Sequence, residues 1–153
     1  RDSPLMADQT ESSIEINATP AQIMDVIADL PTYPQWSEGI TSVEVLSIYE
    51  DDGRPADARF HIDSGPIRDD YELEYDWNGD TEVTWKLTKG DMVTAMDGMY
   101  RLTASGDSTT VLYRLAVDVK IPMLGMIKRK AEKVIVDTAL KGLKERVESG
   151  AAR

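Results

Sequence analysis

The sequence predicts an α+β fold in which a curved antiparallel sheet of seven strands wraps around one long C-terminal helix, with two short helices after the first strand. Three observations predict it. A single long helical segment closes the chain, runs of alternating polar and apolar residues fill residues 40–121, and proline-punctuated helical turns follow the first strand. The chain of 153 residues has the length of one domain, which we predict to span residues 10–148.

The first strand and the two short helices precede the main part of the sheet. Residues 10–17 alternate polar and apolar side chains, as a half-buried strand does. Pro20 suits the first turn of a helix, and Pro31 ends that helix because a proline ring cannot donate to the helical hydrogen-bond ladder. A second short helical turn is predicted within residues 31–39.

Six further strands are predicted from alternating runs separated by turn residues. Asn78-Gly79 is the strongest hairpin signal, because both central positions of the favoured two-residue turn need a positive φ. Short turns between successive runs indicate a meander of neighbouring antiparallel strands. The runs cover residues 40–50, 56–63, 70–77, 81–88, 92–104 and 109–121.

The alternation of side chains predicts which groups face the helix. In the sixth run, the set from Thr94 to Ala104 that includes Met96 and Tyr100 is predicted to point inward, because the other set would bury two charges. The concave face then collects mostly aromatic side chains, four of them with a phenol hydroxyl: Phe60, Tyr71, Tyr75, Trp77, Trp85, Met96, Tyr100 and Tyr113.

The C-terminal helix is predicted to run from Ile121 to about Val147. Its helical period places one apolar stripe toward the sheet: Leu124, Ile127, Ala131, Val134, Ile135, Thr138 and Gly142. Small residues in this stripe predict a cavity between helix and sheet. A second stripe is interpreted either as a contact with the first short helix and strand or as a protein interface: Val136, Leu140, Leu143 and Val147.

A ligand site is predicted in this cavity. A buried tyrosine hydroxyl needs a hydrogen-bond partner, and the predicted helix stripe offers only Thr138, so water or ligand atoms are expected to serve the others. An apolar pocket with a few directed hydroxyls is typical of small-molecule sites. The predicted ligand-binding residues are Phe60, Tyr71, Tyr75, Trp85, Met96, Tyr100, Tyr113, Met123, Ile127, Ala131 and Val134.

Most enzyme chemistries lack their residues in this sequence. A single histidine, His61, and no cysteine exclude the common zinc and iron ligand sets, and we predict neither a metal nor another cofactor. No Ser or Thr has a base beside it, and no phosphate-binding glycine loop occurs. The carboxylate pairs lie in turns and on polar faces. We therefore predict no catalytic residues.

The charge of the chain restricts its partners and location. A net charge of −11 argues against nucleic acid and disfavours an anionic membrane surface. The basic run Lys128, Arg129 and Lys130 suits a phosphate or lipid head group, but is better interpreted as the solvated side of the helix. With no membrane-spanning run and no signal peptide in the sequence, we expect a cytoplasmic protein without stable membrane insertion. Residues 1–5 are interpreted as a cloning remnant.

The order of elements and several local phrases resemble the SRPBCC superfamily, in particular its polyketide cyclase/dehydrase and lipid-transport branch. The resemblance covers residues 10–148, and its most specific stretch is TPAQIMDVIADLPTYPQW, with a Thr-Pro helix start and a Tyr-Pro-x-Trp second helix. It implies a START-like helix-grip fold with an apolar cavity. It also implies binding of lipids, sterols, polyketides or similar molecules, without implying a reaction.

We predict a monomer or weak homodimer that binds or carries a hydrophobic, partly oxygenated small molecule without catalysis. One alternative is a polyketide cyclase or aromatase in which Tyr71, Tyr75 or Tyr113 donates a proton. A second alternative is a protein-interaction module of the stress or toxin–antitoxin kind that uses the second helix stripe.

Overall fold

The computed structural model describes residues 9–64, 67–121 and 125–150. Its elements follow the predicted order of one strand, two short helices, six strands and one long helix. Their bounds are β1 (Thr10–Ile16), α1 (Pro20–Ala28), a 3₁₀ helix (Leu30–Gln35), β2 (Ile40–Ile48), β3 (Pro55–Ser64), β4 (Ile67–Asn78), β5 (Glu82–Lys89), β6 (Val93–Ser105), β7 (Ser108–Val119) and α2 (Gly125–Glu148).

All seven described strands form one antiparallel sheet in the order β1-β7-β6-β5-β4-β3-β2. The strands β2 to β7 pair with their sequence neighbours, which is the predicted meander, and β1 closes one edge by pairing with β7. The sheet, the long C-terminal helix and the two short helices together have the helix-grip fold.

A bulge in β6 corrects one prediction of side-chain direction. The register between β6 and β7 shifts between Val93 and Ala95, so that Val93 pairs with Val119 and is buried. Thr94, predicted to point inward, is exposed. Beyond the bulge the predicted parity is confirmed for Tyr100 and Leu102, which are buried, and for Met96, which is half-buried. It is wrong for Ala104, which is exposed near the strand end, and for Met99, which belongs to the other set and is buried.

The two short helices are fixed by local hydrogen bonds. A capping box begins α1: Thr19 Oγ1 accepts from the backbone N–H of Gln22 at 3.2 Å, and Gln22 Oε1 accepts from the backbone N–H of Thr19 at 3.0 Å. The 3₁₀ helix is held to α1 by the Tyr33 hydroxyl, which donates to the carbonyl of Ile27 at 2.5 Å. Both helices thereby present their apolar sides to the sheet.

The helix α2 is rotated relative to its prediction. Its buried side chains are Glu132, Val136, Ala139, Leu140 and Leu143, whereas Ile127 is 53% exposed, Val134 is 60% exposed and Ala131 is also exposed. The second predicted stripe, offered as a possible interface, therefore packs largely inside the protein, and the first stripe does not face the sheet. The predicted helix start at residues 121–124 lies partly outside the described residues.

A buried carboxylate explains this rotation. Glu132 has no exposed surface, accepts from Thr10 Oγ1 at 2.7 Å and from the backbone N–H of Val117 at 2.8 Å, and pairs with Lys128 Nζ at 2.9 Å. The pairing of β1 with β7 extends only as far as Leu115, so the Val117 N–H would lack a strand partner. Glu132 takes that place and turns the opposite side of α2 toward solvent.

The C-terminal half of α2 approaches the 3₁₀ helix closely. A Cβ placed on Gly142 would lie 2.1 Å from the backbone carbonyl oxygen of Trp36, a distance that no side chain can occupy. Glycine at this position therefore permits the contact. Together α1, the 3₁₀ helix and this half of α2 cover the concave face with Ile23, Met24, Ile27, Leu30, Val136, Leu140 and Leu143.

Candidate functional site

Cross-strand pairing brings the predicted aromatic residues together on the concave face. Phe60 pairs with Tyr71, Tyr75 with Trp85, and Tyr100 with Tyr113. These pairs lie on adjacent strands of the meander, so that the six side chains form one surface. All six are buried, with exposed fractions between 2% for Phe60 and 8% for Trp85.

The aromatic rings contact one another along this surface. The ring centroids of Tyr100 and Tyr113 are 4.5 Å apart, and Trp85 lies 5.4 Å from Tyr100 and 5.8 Å from Tyr113. Tyr75 lies 5.9 Å from Trp85. We call Tyr71, Tyr75, Tyr100 and Tyr113 the tyrosine cluster.

Gly98 makes room for Trp85 within this surface. A Cβ on Gly98 would lie 2.1 Å from Cε2 of the Trp85 indole, so the ring rests directly on the backbone of β6. Gly98 pairs with Trp85 across β5 and β6, which explains why the two residues meet. Because Gly98 has no side chain, the Trp85 ring can pack close to the sheet backbone at this position.

The hydroxyls of the tyrosine cluster have no protein partner among the described residues, whereas Tyr33 and Tyr49 each donate to a backbone carbonyl. In the same part of the chain, the enclosed polar side-chain atoms without a partner are Gln9 Oε1 and Trp36 Nε1. The four phenol oxygens are not among these fully covered atoms. Each therefore keeps some accessible surface that water or a ligand atom can contact. They are available hydrogen-bonding groups in an apolar surface.

Burial sets the protonation state of these phenols. Burial raises the pKa of Tyr71, Tyr75, Tyr100 and Tyr113 above the ordinary tyrosine value, because a phenolate would lose its hydration. Neighbouring phenols raise the pKa of Tyr75 further. The cluster therefore consists of neutral groups that can donate hydrogen bonds.

Half-buried apolar residues lie on the same face as the cluster. Met96 pairs with Val117, two positions along the strands from the pair of Gly98 with Leu115. These side chains are less covered than the aromatic ones, and they lie at the end of the sheet near the start of α2. The partly buried set that includes this rim is Ile62, Leu87, Met96, Val117 and Val119.

The structure places seven of the eleven predicted ligand-binding residues on this concave face: Phe60, Tyr71, Tyr75, Trp85, Met96, Tyr100 and Tyr113. Ile127, Ala131 and Val134 point away from it, because Glu132 fixes the opposite side of α2 against the sheet. Their predicted position over the cavity is wrong. Met123 lies outside the described residues.

Two surface clefts lie apart from the tyrosine cluster. One, of about 510 Å³, lies between residues 34–38 and the C-terminal half of α2. The other, of about 250 Å³, lies between β6, β7 and the start of α2, where Asp97, Asp118 and Lys128 line it. The charged lining of the second cleft differs from the apolar pocket that the sequence predicts.

Sequence reasoning missed two residues of the site. Tyr33 lies 6.2 Å from Phe60 between ring centroids, and Trp36 lies 4.8 Å from Tyr33, so the 3₁₀ helix extends the aromatic surface. The Trp36 indole N–H is a further donor without a partner in the described chain. The signal for both was the Tyr-Pro-x-Trp segment, whose bulky side chains need an apolar surface to cover.

Neither a metal site nor a membrane-spanning helix is found in the described parts of the chain. No group of three His, Cys, Asp or Glu side chains there is arranged to hold a metal ion. None of the described helices is both long enough and apolar enough to cross a bilayer. The buried polar or charged residues in the same ranges are Asp69, Thr109 and Glu132, so no cation is among them.

The fold and the aromatic concave face define a helix-grip protein of the START-like, SRPBCC class. The family described as polyketide cyclase / dehydrase and lipid transport matches residues 7–148, and the chain belongs to this family. That description joins two kinds of activity, cyclisation or dehydration of polyketides and transport of lipids. No curated protein matches the chain.

Solved structures with the same fold include proteins from several bacteria. A START superfamily protein from Mycobacterium smegmatis is similar at a TM-score of 0.85 and 25% identity, over 92% of this chain and 97% of that one. A Thermus thermophilus protein has a TM-score of 0.77 at 21% identity, over 94% and 99%. The Zhui aromatase/cyclase of a Streptomyces species has a TM-score of 0.71 at 13% identity, over 94% of each chain. The last two likenesses show the fold alone.

Proposed function

We propose that the protein binds and carries a neutral, hydrophobic, partly oxygenated small molecule, lipid-like or polyketide-like, on the concave face without altering it covalently. The observation that carries this proposal is the tyrosine cluster, whose four hydroxyls have no protein partner in the described chain and still contact open space. The family description, which includes both polyketide chemistry and lipid transport, supports a ligand of this kind.

The lining favours a neutral ligand over a fatty acid or another anion. No lysine or arginine is buried among the described residues, so a bound carboxylate would lose its hydration without gaining a counter-charge. Neutral phenols offer hydrogen bonds to carbonyl or hydroxyl oxygens instead. Stacked rings at Phe60 and Tyr71, with centroids 5.5 Å apart, suit the flat faces of a conjugated ligand.

The raised pKa values of the phenols support binding rather than catalysis. An efficient acid or base has a pKa near the pH at which it works. Burial raises the pKa of Tyr71 and Tyr113 and thereby moves it farther from neutral pH. Within the described chain, the buried carboxylates Asp69 and Glu132 are already bonded to backbone N–H groups. These groups are thus better suited to hold a ligand than to move its protons.

Tryptophan fluorescence can test the proposal, because Trp85 lies within the surface. The probes are anthraquinone and anthraquinone-2-carboxylate, which share one ring system and differ in charge. We expect anthraquinone to quench the fluorescence and bind at least tenfold more tightly than the carboxylate at neutral pH. Equal affinities would contradict neutral selectivity, and no binding of either probe would contradict the carrier.

A matched pair of variants tests whether the cluster hydroxyls hold the ligand. Tyr100→Phe removes an unpartnered hydroxyl, whereas Tyr49→Phe removes one that already donates to the backbone carbonyl of Tyr75, on a side chain outside the buried aromatic surface. We expect the first change to weaken anthraquinone binding by about fivefold to tenfold, because one ligand hydrogen bond is lost. The second should leave affinity unchanged. The same loss in both variants would show that the effect is structural.

A cyclase is the second candidate, favoured by the convergence of several phenols on one aromatic surface. It requires that the purified protein accelerate ring closure of a poly-β-ketone substrate, and that a cluster Tyr→Phe change abolish this rate while leaving affinity intact. The proposed carrier predicts no acceleration.

We also propose the setting in which the carrier works. We expect it to act in the cytoplasm as a monomer or weak homodimer, and its net charge of −11 argues against a nucleic-acid partner. Sedimentation over a range of protein concentrations would test the oligomeric state.

A further inference from the structure

We propose that the N-terminal half of α2 is a reversible docking surface for an anionic phospholipid membrane. This surface, which we call the α2 outer face, consists of Met126, Ile127, Lys130 and Val134, with Ile135 at its border. The proposal goes beyond ligand binding and does not depend on it. It explains why large apolar side chains stand in solvent on a helix that has a buried side available.

Exposure of the apolar side chains is the first step of the argument. Met126 is 78% exposed, Val134 60% and Ile127 53%, the last two being a full two turns apart on the same side of the helix. Single exposed apolar residues are ordinary, but a contiguous group on one face indicates an interaction site.

The rotation of α2 is the second step. In the same turns that expose Ile127 and Val134, the helix buries the carboxylate of Glu132. Three hydrogen bonds hold this group, from Thr10, Val117 and Lys128, so the orientation is fixed by specific contacts. The exposed apolar face is therefore a stable feature of the fold.

The positive charge of α2 favours an anionic partner. The helix carries seven basic and four acidic residues, a net charge of +3, in a chain whose net charge is −11. From Gly125 to Val136 it has four basic residues and one acidic residue, and the acidic one is buried. Among the described residues, Arg129 and Lys130 have no ion-pair partner. Apolar side chains bordered by lysine and arginine are the pattern of a helix lying in a membrane interface.

Other partners fit this surface less well. A two-fold contact between copies would bring together two positively charged segments of α2, which like-charge repulsion disfavours. Nucleic acid offers nothing for Ile127 and Val134 to contact. The acidic remainder of the chain disfavours approach in most orientations, but its field decays within about 8 Å at physiological salt, so that it orients the protein with α2 toward the lipid. The contact is interfacial and requires no inserted helix.

Vesicle flotation tests the proposal with the full chain. The vesicles contain either phosphatidylcholine alone or equal parts of phosphatidylcholine and phosphatidylglycerol. We expect binding to the anionic vesicles, at least fivefold weaker binding to the neutral ones, and loss of most binding in high salt. Absence of binding to both vesicle types would overturn the proposal.

Exposed-residue variants identify the surface without disturbing the core. Ile127→Asp combined with Val134→Asp should lower anionic-vesicle binding by at least tenfold, and Lys130→Glu should lower it by roughly tenfold. Ile48→Asp is the matched control, because Ile48 is 57% exposed on β2, outside the α2 outer face. Equal loss in the control would overturn the proposal. So would a concentration-dependent dimer that Ile127→Asp disperses, since a second copy would then be the partner.

Discussion

Five of the six tyrosines are buried, and they differ in what their hydroxyls contact. Tyr33 donates to the carbonyl of Ile27, whereas the cluster hydroxyls have no partner in the described chain. A satisfied hydroxyl stabilises the fold, while an unsatisfied one costs stability unless a ligand or water serves it. The presence or absence of a protein hydrogen-bond partner therefore distinguishes structural tyrosines from ligand-facing ones, and this distinction does not require the ligand to be known.

This contrast predicts that two similar changes differ in their effect on stability. Tyr33→Phe should lower the free energy of unfolding by about 1–2 kcal/mol, because the buried carbonyl of Ile27 loses its donor. Tyr113→Phe should change it by less than about 0.5 kcal/mol, since no protein hydrogen bond is removed. Urea denaturation measures both. A larger loss for Tyr113→Phe would show that its hydroxyl has a structural partner.

Glu132 provides a second prediction for a single residue. Glu132→Ala should destabilise the protein by about 3–5 kcal/mol, because Lys128 and the N–H of Val117 lose their buried partner. The matched change Asp137→Ala removes an exposed pair with Lys133 and should cost less than about 1 kcal/mol. Thermal or urea denaturation compares the two. Similar small losses would indicate that Glu132 is hydrated in solution.

Strand residues were predictable from sequence because a period of two leaves little ambiguity. Tyr71, Tyr75 and Trp85 alternate with polar or charged neighbours, and the structure buries all three. The exceptions lie in β6. A bulge reverses the alternation at Thr94, which is exposed, and farther along the strand Met99 is buried and Ala104 is exposed against the prediction. Bulges depend on backbone geometry, so composition alone gives no signal for one.

At the scale of elements, α2 shows the limit of helical periodicity. The helix carries two apolar stripes, and periodicity ranks the one through Ile127 and Val134 as well as the one through Val136 and Leu143. Neither predicted stripe included Glu132. The deciding contact, from Glu132 to the free edge of β7, joins residues far apart in the chain and could not be predicted from local sequence.

Two glycines of α2 give a prediction about this element. Gly142→Ala should destabilise the fold by about 1–3 kcal/mol, because the new Cβ would meet the backbone of Trp36 at 2.1 Å, which outweighs the better helix propensity of alanine. Gly125→Ala should cost nothing, because its nearest neighbour, on Arg129, would be 3.6 Å away. Urea denaturation compares the variants. Equal stability would show that the 3₁₀ helix can shift away from α2.

At the scale of the whole molecule, sequence predicted the order and pairing of elements well. Turn signals such as Asn78-Gly79 fix which strands are neighbours, and a meander leaves few alternatives. The extent of the open space between helix and sheet depends instead on how whole layers pack. The tyrosine cluster was predicted because it depends on strand pairing. The contribution of Tyr33 and Trp36 was not predicted, because it depends on how the 3₁₀ helix packs on the sheet.

The tyrosines also predict how the whole fold responds to alkali. Burial raises their pKa in the folded state, so above pH of about 10 the unfolded chain loses phenol protons that the folded chain retains. The contribution of the tyrosines to stability should therefore be constant below this range and fall as pH rises through it. Tyrosinate absorbance should increase together with loss of circular dichroism. A gradual increase with an unchanged dichroism spectrum would contradict the burial of these groups.

The two attachments of α2, at Glu132 and at Gly142, have a consequence for how its length can change. They lie ten residues apart, which corresponds to about 15 Å of helix rise. Inserting one residue between them would turn one attachment by about 100° relative to the other, so both could not form at once. Homologous chains that keep both contacts should therefore differ in this interval by replacement of residues, and should confine gains or losses of residues to the hairpin tips.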